Sequence, residues 1–349
     1  MDGRHELAAV KLNLNKECIT MQHGSGGRAM VQLIEQIFRP AFTNPILAQQ
    51  NDGASFKVEA GRMVTTTDAH VVHPLFFPGG DIGCLSVHGT INDLAMCGAK
   101  PLYLTASFIL EEGLPLADLK KIADSMGEAA KAAEVVIVAG DTKVVERGHG
   151  DGVFISTTGI GVLPVGVHLS GNQAQVGDVI LLSGPIGDHG VAIMAQRNHL
   201  DFFTSLQSDT CALHDLVAHM LANSNGIRCL RDPTRGGLAT TLNELAQQSQ
   251  VGMCIDERLI PVRQEVASAC ELLGLDPLYI ANEGKLVAIV APNEAEACLS
   301  AMHQHPLGKQ ATIIGEVIHD SRQFVHLNTR LGGRRIVDWL AGEQLPRIC

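Results

Sequence analysis

The sequence predicts an α/β protein made of two domains. Runs rich in β-branched residues alternate with segments whose apolar residues recur at helical spacing, which is the pattern of α/β domains. A length of 349 residues suits two domains, and a polar stretch with a glycine at 168–178 separates halves of similar size. We therefore expect an N-terminal domain over 1–168, a C-terminal α/β domain over 169–333, and a flexible tail over 334–349.

Helices and strands alternate through the first half. Helical spacing of apolar residues predicts a helix over 26–42. Paired glycines precede a longer helix over 79–99, and Pro115 stands at a helix start, a position that tolerates proline. This third helix covers 115–133. The β-rich runs between them predict strands over 62–68, 100–112, 134–145 and 151–163.

The second half opens with a strand over 178–187 and a helix over 188–196. The further elements follow in alternation, which favours a second α/β domain. They are helices over 211–222, 237–249, 263–273 and 293–303, and strands over 251–255, 286–290 and 312–318.

Composition and charge exclude several classes of function. The net charge is −11 and no stripe of Lys or Arg is visible, which argues against binding to nucleic acid. No apolar run reaches ~18 residues, and the charged N-terminus has no apolar signal core. The nine cysteines include no C-x-x-C pair and mostly have apolar neighbours. We expect a soluble, cytoplasmic protein with no membrane segment.

Three aspartates lie in turns or beside small residues, as candidates for a magnesium–nucleotide site. Asp68 ends "VTTTD", Asp93 lies in "TINDLA", and Asp141 lies in "VAGDTK". Ligands of α/β sheets gather at the carboxyl ends of strands, and Mg²⁺ binds carboxylates together with phosphate oxygens. An aspartate also forms turns with its own backbone, so the turn explanation stays open for each residue.

Glycine-rich loops precede several predicted helices and include "HGSGG" at 23–27. Backbone N–H groups at a helix start can bind an anion, and Gly26 and Gly27 are therefore candidates for a phosphate contact. The P-loop motif and a proper G-x-G-x-x-G fingerprint are both absent, which disfavours a P-loop kinase and a Rossmann dehydrogenase. Taken one at a time, such loops are more often plain turns.

Charged loop residues and the last residue could carry chemistry. Lys143 follows Asp141 by two residues, and Glu283 follows an apolar stretch, where burial would raise its pKa and make it a useful base. A solvated loop charge remains the favoured explanation for each one alone. His189, like the other loop histidines, has no partner spacing and is expected to be structural. Composition alone favours an incidental role for Cys349, although an extended ten-residue tail could reach ~33 Å.

Taken together, these segments resemble one known family. The motifs "HGSGG", "GTINDLAMCGA", "FILEEGLP", "GDTKVV", "RDPTRGGL", "ANEGKL" and the terminal "PRIC" occur in order. The chain closely resembles the HypE family of hydrogenase maturation proteins over residues 20–349. The terminal "PRIC" is the most specific motif. The acidic and glycine-rich segments are shared with aminoimidazole ribonucleotide synthetase, selenophosphate synthetase and thiamine-phosphate kinase.

The resemblance implies a two-domain aminoimidazole ribonucleotide synthetase-like fold, with N-terminal domain sheets pairing in a homodimer and a flexible C-terminal tail. It implies ATP and Mg²⁺ as cofactors and catalytic roles for Cys349, Lys143 and Glu283. The residues it implies around ATP are Asp68, Asp93, Asp141, Gly26 and Gly27, of which the three aspartates would also contact metal.

The implied reaction starts when the carbamoyltransferase HypF carbamoylates Cys349. ATP then drives dehydration of this thiocarboxamide to a thiocyanate, and the cyano group passes to iron on the HypC–HypD complex as a cyanide ligand of [NiFe]-hydrogenase. Such chemistry suits the residues: Lys143 could stabilise charge near the oxygen, and Glu283 could accept a proton from nitrogen.

Two alternatives from other classes remain. A selenophosphate synthetase would be expected to carry a reactive cysteine in the N-terminal glycine-rich loop, where this chain has Ser25. A docking protein without enzymatic activity would use its tail only to hand over a group and would consume no ATP.

Overall fold

The computed structural model describes residues 11–25, 28–49, 54–56, 61–198, 206–340 and 347–349. In the first half the strands are β1 (Arg62–His70), β2 (Phe76–Phe77), β3 (Gly80–Asp81), β4 (Lys100–Glu111), β5 (Val136–Val145) and β6 (Val153–Leu163). The helices there are α1 (Arg28–Leu33), α2 (Arg39–Ala41), α3 (Ile82–Met96) and α4 (Leu116–Ala132), with a π-helical turn over Ile34–Phe38 between α1 and α2.

The first sheet has four strands in the order β1-β6-β4-β5. β4 and β5 are parallel, and the other two pairs are antiparallel, so the carboxyl ends of β1, β4 and β5 lie at the same edge. Helices α3 and α4 cover one face with a core of aliphatic side chains that includes Leu85, Leu104 and Ile122. Among the described residues the opposite face of the sheet carries no helix, and it is exposed along β1, as the alternating burial of that strand shows.

The second half contains β7 (Val179–Leu182), β8 (Ile227–Arg231), β9 (Gly252–Asp256), β10 (Val287–Val290), β11 (Thr312–Ile318), β12 (Val325–Asn328) and β13 (Arg334–Val337). Its helices are α5 (Asp188–Arg197), α6 (His214–Asn223), α7 (Gly237–Ser249), α8 (Gln264–Leu273) and α9 (Ala295–Gln304). The sheet order is β13-β12-β9-β11-β7-β10-β8. Aliphatic cores lie on this sheet and bury residues such as Leu242, Ile289 and Leu230.

The expected elements are present, with shifted ends, and the two-residue strands β2 and β3 are additional to them. The helix expected over 79–99 is shorter because Asp81 caps it: its Oδ1 accepts from the backbone N of Gly83 at 2.7 Å. Strands β8 and β12 were not expected. The segment expected to be tail begins with a strand, because Arg334–Val337 form β13 against β12, so that boundary was wrong. Among the described residues, no helix is both long and apolar enough to cross a membrane.

Candidate active site

A buried glutamate lies at the centre of the site. Glu283 lies in the loop before β10 and is only 4% exposed. Its backbone N donates to Oδ1 of Asp209 at 3.0 Å, and its Oε1 has no hydrogen-bond partner among the described residues. Burial raises the pKa of Glu283 well above its ordinary value, and the negative charges of Asp232, Asp209 and Asp68 add to that effect. This carboxylate therefore binds a proton more tightly than that of an exposed glutamate.

The last three residues of the chain dock beside this glutamate as a short added strand. Ile348 forms an antiparallel bridge with Val72, and the backbone N of Val71 donates to the Cys349 carbonyl at 3.1 Å. The backbone N of His73 donates to the Arg347 carbonyl at 3.2 Å. Ile348 is 5% exposed and belongs to the first core. Pairing with the backbone and burial of one aliphatic side chain together place the terminal thiol at the site.

The Cys349 thiol lies beside the carboxyl group of Glu283, close enough for each group to shift the pKa of the other. Burial raises the pKa of this thiol well above its ordinary value, and the neighbouring charge of Glu283 raises it further, while Arg235 opposes the shift. The docked thiol is therefore protonated and a poor nucleophile. This geometry suits processing of a group already attached to the sulfur better than acceptance of a new one.

Three aspartates surround the pair. Asp93 accepts a hydrogen bond from Oγ1 of Thr66 at 2.8 Å, and burial raises its pKa, as does the charge of Asp68. Burial, followed by the charge of Asp93, raises the pKa of Asp232 to about 7. Asp68 differs: burial acts to raise its pKa, but its contact with His70 at 3.3 Å outweighs this and lowers it. The carboxylates repel one another across a small volume.

Local packing explains how the carboxylates come together. Helix α3 passes close to β1 because Gly89 has no side chain; a Cβ there would lie 2.8 Å from Nε2 of His70 and 3.2 Å from Oδ2 of Asp68. Asn92, the residue before Asp93, donates from Nδ2 to the carbonyl of Glu283 at 3.2 Å. Helix α3 therefore joins the aspartates of the first half to the glutamate of the second.

Asn282, the residue before Glu283, connects its own loop to the loop that carries Asp232. Asn282 donates from Nδ2 to the Pro233 carbonyl at 2.8 Å, and its Oδ1 accepts from the backbone N of Gly187 at 2.7 Å. These bonds hold Asp232 beside Glu283. A cavity of about 330 Å³ opens next to the docked thiol, with Arg235 and Tyr279 in its wall. It offers space for a group carried on sulfur and for a second reactant.

Asp141 and Lys143 lie elsewhere. Both are exposed on β5, the edge strand opposite β1, and their charged groups pair at 3.2 Å. Three strand intervals separate β5 from β1, which corresponds to about 14 Å. The register aligns Asp141 with Ser107, Ser156 and Ala69, so Asp141 occupies the uncovered face, whereas Asp68 lies on the face beneath α3. The chain therefore brings Asp68 and Asp93 together but not Asp141 or Lys143.

The glycine-rich loop meets β5. Gly26 and Gly27 fall outside the described residues, but Gly24 packs so closely that a Cβ would lie 2.7 Å from the backbone N of Val144. A mostly apolar cavity of about 410 Å³ lies nearby, between the α1–α2 segment and β5, and Asp141 belongs to its wall. Its aromatic lining includes Phe38 and Phe108. An apolar cavity beside a glycine-rich loop and charged groups suits a nucleotide.

The carboxylates fit a cation that arrives with phosphate. Within the ranges that the structure describes, no three His, Cys, Asp or Glu side chains converge to hold a metal ion alone. Mg²⁺ usually takes only one or two carboxylates and completes its shell with water and phosphate oxygens. Burial and, after it, neighbouring negative charge raise the pKa values of Asp93 and Asp232, and a divalent cation would favour their ionised forms.

Comparison with known proteins identifies the family. The N-terminal and C-terminal domain models of AIR synthase related proteins match residues 50–163 and 175–328. "Carbamoyl dehydratase HypE" from Cupriavidus necator is 65% identical over 339 residues, which cover 97% of both chains. The chain belongs to the HypE family of carbamoyl dehydratases. The Escherichia coli HypE protein is 47% identical, with coverage of 95% of this chain and 99% of its own.

Solved HypE structures share the fold. The crystal structure of a HypE protein in complex with ATP has a TM-score of 0.91 and 49% identity, and the match covers 94% of this chain and 99% of that one. A HypE–HypF complex matches with a TM-score of 0.78 and 51% identity, over 88% of this chain and 99% of that one. The expected family and the two-domain α/β fold of the aminoimidazole ribonucleotide synthetase type are thus confirmed.

Sequence reasoning missed two residues of the site. Asp232 directly follows strand β8, and recognition of that strand would have placed it at a strand end, like the other aspartates. His189 was expected to be structural, yet its ring contacts the docked tail. No spacing in the sequence connects residue 189 to residue 348, so no signal could have found that contact.

Proposed function

We propose that this chain dehydrates a carbamoyl group carried on its own Cys349, with ATP as the co-substrate, and so makes the thiocyanate that supplies cyanide ligands to [NiFe]-hydrogenase iron. The observation that carries the proposal is the docked terminal residue, whose thiol lies beside the buried carboxyl group of Glu283. The names of the relatives and the ATP complex of a HypE protein support both the reaction and the nucleotide.

The overall reaction balances as thiocarboxamide plus ATP giving thiocyanate, ADP, phosphate and one proton. The amide oxygen attacks the terminal phosphorus of ATP, and the bond from that phosphorus to ADP breaks. The C–O bond then breaks with its electron pair going to phosphate, while nitrogen loses both protons as the C≡N bond closes. One proton ends on phosphate and the other is released. Phosphorylation is needed because an amide oxygen is otherwise a poor leaving group.

Glu283 accepts a proton from the nitrogen in this proposal. As a carboxylate it would be a stronger base than an exposed glutamate, because burial and neighbouring charge raise its pKa. The docked thiol contacts Glu283, so a carbamoyl group on that sulfur would lie within reach of the carboxyl group. Covalent attachment makes the step intramolecular, which lowers the activation barrier by up to about 7–11 kcal/mol in favourable cases.

ATP would approach the thiol with its phosphate groups facing the cluster of Asp68, Asp93 and Asp232. Mg²⁺ bound with ATP would neutralise charge on the transferred phosphoryl group, and one or two of the carboxylates of Asp68, Asp93 and Asp232 would hold it together with phosphate oxygens. Asp141 and the loop of Gly26 and Gly27 would contact the nucleotide at β5.

A homodimer would place Lys143 in the site of a second copy. The uncovered face of the first sheet carries Lys143, together with exposed Met63 and Ile109, which are 54% and 42% exposed. We propose that two such faces pair, so that Lys143 of one copy supports charge at the Cys349 of the other. Mixing Lys143→Ala protein with Cys349→Ala protein tests this: restored dehydration supports action across the dimer, and no restoration contradicts it.

The partners follow from the chemistry of loading and delivery. We propose that HypF carbamoylates Cys349, in line with the HypE–HypF complex among the solved structures, and that a HypC–HypD complex receives the cyano group. Every cysteine in the chain is a free thiol in the structure, as suits the reducing cytoplasm where we place this reaction.

Intact-mass measurement tests the proposed function. The chain is loaded by HypF with carbamoyl phosphate and ATP, freed of nucleotide, and then given ATP and Mg²⁺. We expect the loaded tail to lose the mass of one water, with one phosphate formed per event. Cys349→Ala should lose the adduct and the product, while Cys18→Ala, which removes an exposed cysteine, should behave as wild type. An adduct that keeps its water, or that loses it without ATP, would overturn the proposal and leave a docking role.

A further inference from the structure

Beside the buried Ile348 side chain and the ion pair of Arg347 with Asp151 at 3.0 Å, the docked tail is held through its backbone carbonyl groups. Strand pairing with residues 71–73 binds two of them, those of Arg347 and Cys349. Helix α5 binds two with side chains: His189 contacts the Ile348 carbonyl at 2.7 Å, and Nη2 of Arg197 donates to the Arg347 carbonyl at 2.9 Å. The docked register therefore depends on a few directional bonds at the site of the thiol.

The direction of each hydrogen bond around His189 can be deduced. The Ile348 carbonyl can only accept, so Nε2 of His189 carries the hydrogen and donates. Nδ1 then accepts from the Ser208 hydroxyl at 2.7 Å. The oxygen of that hydroxyl accepts in turn from the backbone N of Thr210 at 3.1 Å. A neutral imidazole in one tautomer satisfies the whole chain of bonds.

The surroundings of His189 make this bond costly to break. The side chain is fully buried and its ring packs edge-on against Phe77. Burial lowers the pKa of His189, which keeps the imidazole neutral. When the tail leaves, Nε2–H loses the Ile348 carbonyl as its acceptor, and the contribution of that hydrogen bond to docking is lost. His189 therefore stabilises the docked state relative to the released state.

We propose that His189 is a positioning residue that shifts the tail toward the docked state, which permits dehydration, and away from the released state, which a carbamoyltransferase can reach. The assignment to the two half-reactions rests on the proposed function. The contact itself does not, because docking partly buries Cys349 whatever reaction follows. Loss of the bond should therefore act in opposite directions on dehydration and on access to the thiol.

The test uses the full chain with three variants. His189→Leu removes the donor. His189→Gln keeps an amide N–H that can donate to the Ile348 carbonyl. His88→Leu is the matched control, because His88 is also a histidine shielded from solvent and bonds to the same loop through Thr210, at 3.0 Å, but has no contact with the tail among the described residues. Three rates are measured for each: dehydration of loaded protein, loading by HypF, and alkylation of Cys349 by iodoacetamide.

We expect His189→Leu to slow dehydration by roughly 10- to 100-fold, the factor of one buried hydrogen bond left unmade, with loading unchanged or faster. Alkylation of Cys349 should quicken, and His189→Gln should restore all three rates toward wild type. Equal loss of dehydration and loading, unchanged alkylation, or the same behaviour in His88→Leu would overturn the proposal. If wild-type protein dehydrates nothing, the proposed function fails, and the alkylation rates alone then confirm or contradict the positioning contact.

Discussion

Replacement of Asp232 by asparagine should stabilise the nucleotide-free protein, and increasingly so as pH rises. Burial and the charge of Asp93 raise the pKa of Asp232 from 3.8 to about 7. A carboxyl group whose pKa is raised on folding contributes its full stability below the unfolded value, and that contribution is lost as pH rises through the folded value. A shift of about three units corresponds to about 4 kcal/mol above pH 7. Asparagine avoids this loss because it does not ionise.

Thermal unfolding at several pH values measures the effect. An unfolding entropy of about 2.1 cal/mol/K per residue gives ~0.7 kcal/mol/K for this chain, so about 4 kcal/mol raises Tm by roughly 6 °C at pH 8. Near pH 4 the two proteins should agree. Asp256→Asn is the control, and it should lower Tm at pH 8 instead of raising it, because Arg258 lowers the pKa of Asp256 to about 2. A Tm difference for Asp232→Asn that does not change with pH would refute the electrostatic reasoning, as would a loss of stability at pH 8.

Three further predictions concern the site. Glu283→Gln should leave loading of Cys349 intact but slow dehydration by 100-fold or more, the typical range for a lost general base, as single-turnover mass measurement would show; a fall of less than tenfold would contradict its role. One alanine inserted between Ile348 and Cys349 should abolish dehydration, because a shift of one residue turns the thiol to the other face of the added strand. Intact-mass analysis of the loaded variant measures this, and retained activity would argue against the docked register. Gly24→Ala should weaken ATP binding about tenfold in calorimetry, because its Cβ would lie 2.7 Å from the backbone N of Val144, whereas unchanged affinity would remove that loop from the nucleotide site.

Periodicity predicted most of the fold because it reports burial. Helix α7 has the bounds that apolar spacing gave, and β11 likewise, since both present one consistent face to a core. The signal failed at short strands that lie at a sheet edge or next to one. Strand β13, with Arg334 and Arg335, is largely exposed on its sheet edge, so its sequence resembles a polar linker. Only its pairing with β12 makes it a strand, and such pairing is a long-range property.

The candidate site was predictable in its residue types but not in its assembly. Aspartates beside small residues indicated metal–phosphate chemistry, and the motifs supplied Glu283 and Cys349. Sequence could not show that Asp68 and Asp141 occupy opposite faces of one sheet, because that depends on the register of four strands. Nor could it show that the tail docks against residues 71–73, since those contacts use backbone atoms that every residue has.

The fate of one oxygen atom tests the central claim most directly. Cys349 is loaded with a carbamoyl group that carries a heavy-oxygen label, and ATP and Mg²⁺ are then added in unlabelled water. We expect the label to leave the tail and to appear in inorganic phosphate, one atom per thiocyanate formed, because the amide oxygen becomes a phosphate oxygen. Label found in water instead, or retained on the tail after ATP is consumed, would contradict ATP-dependent dehydration at this cysteine.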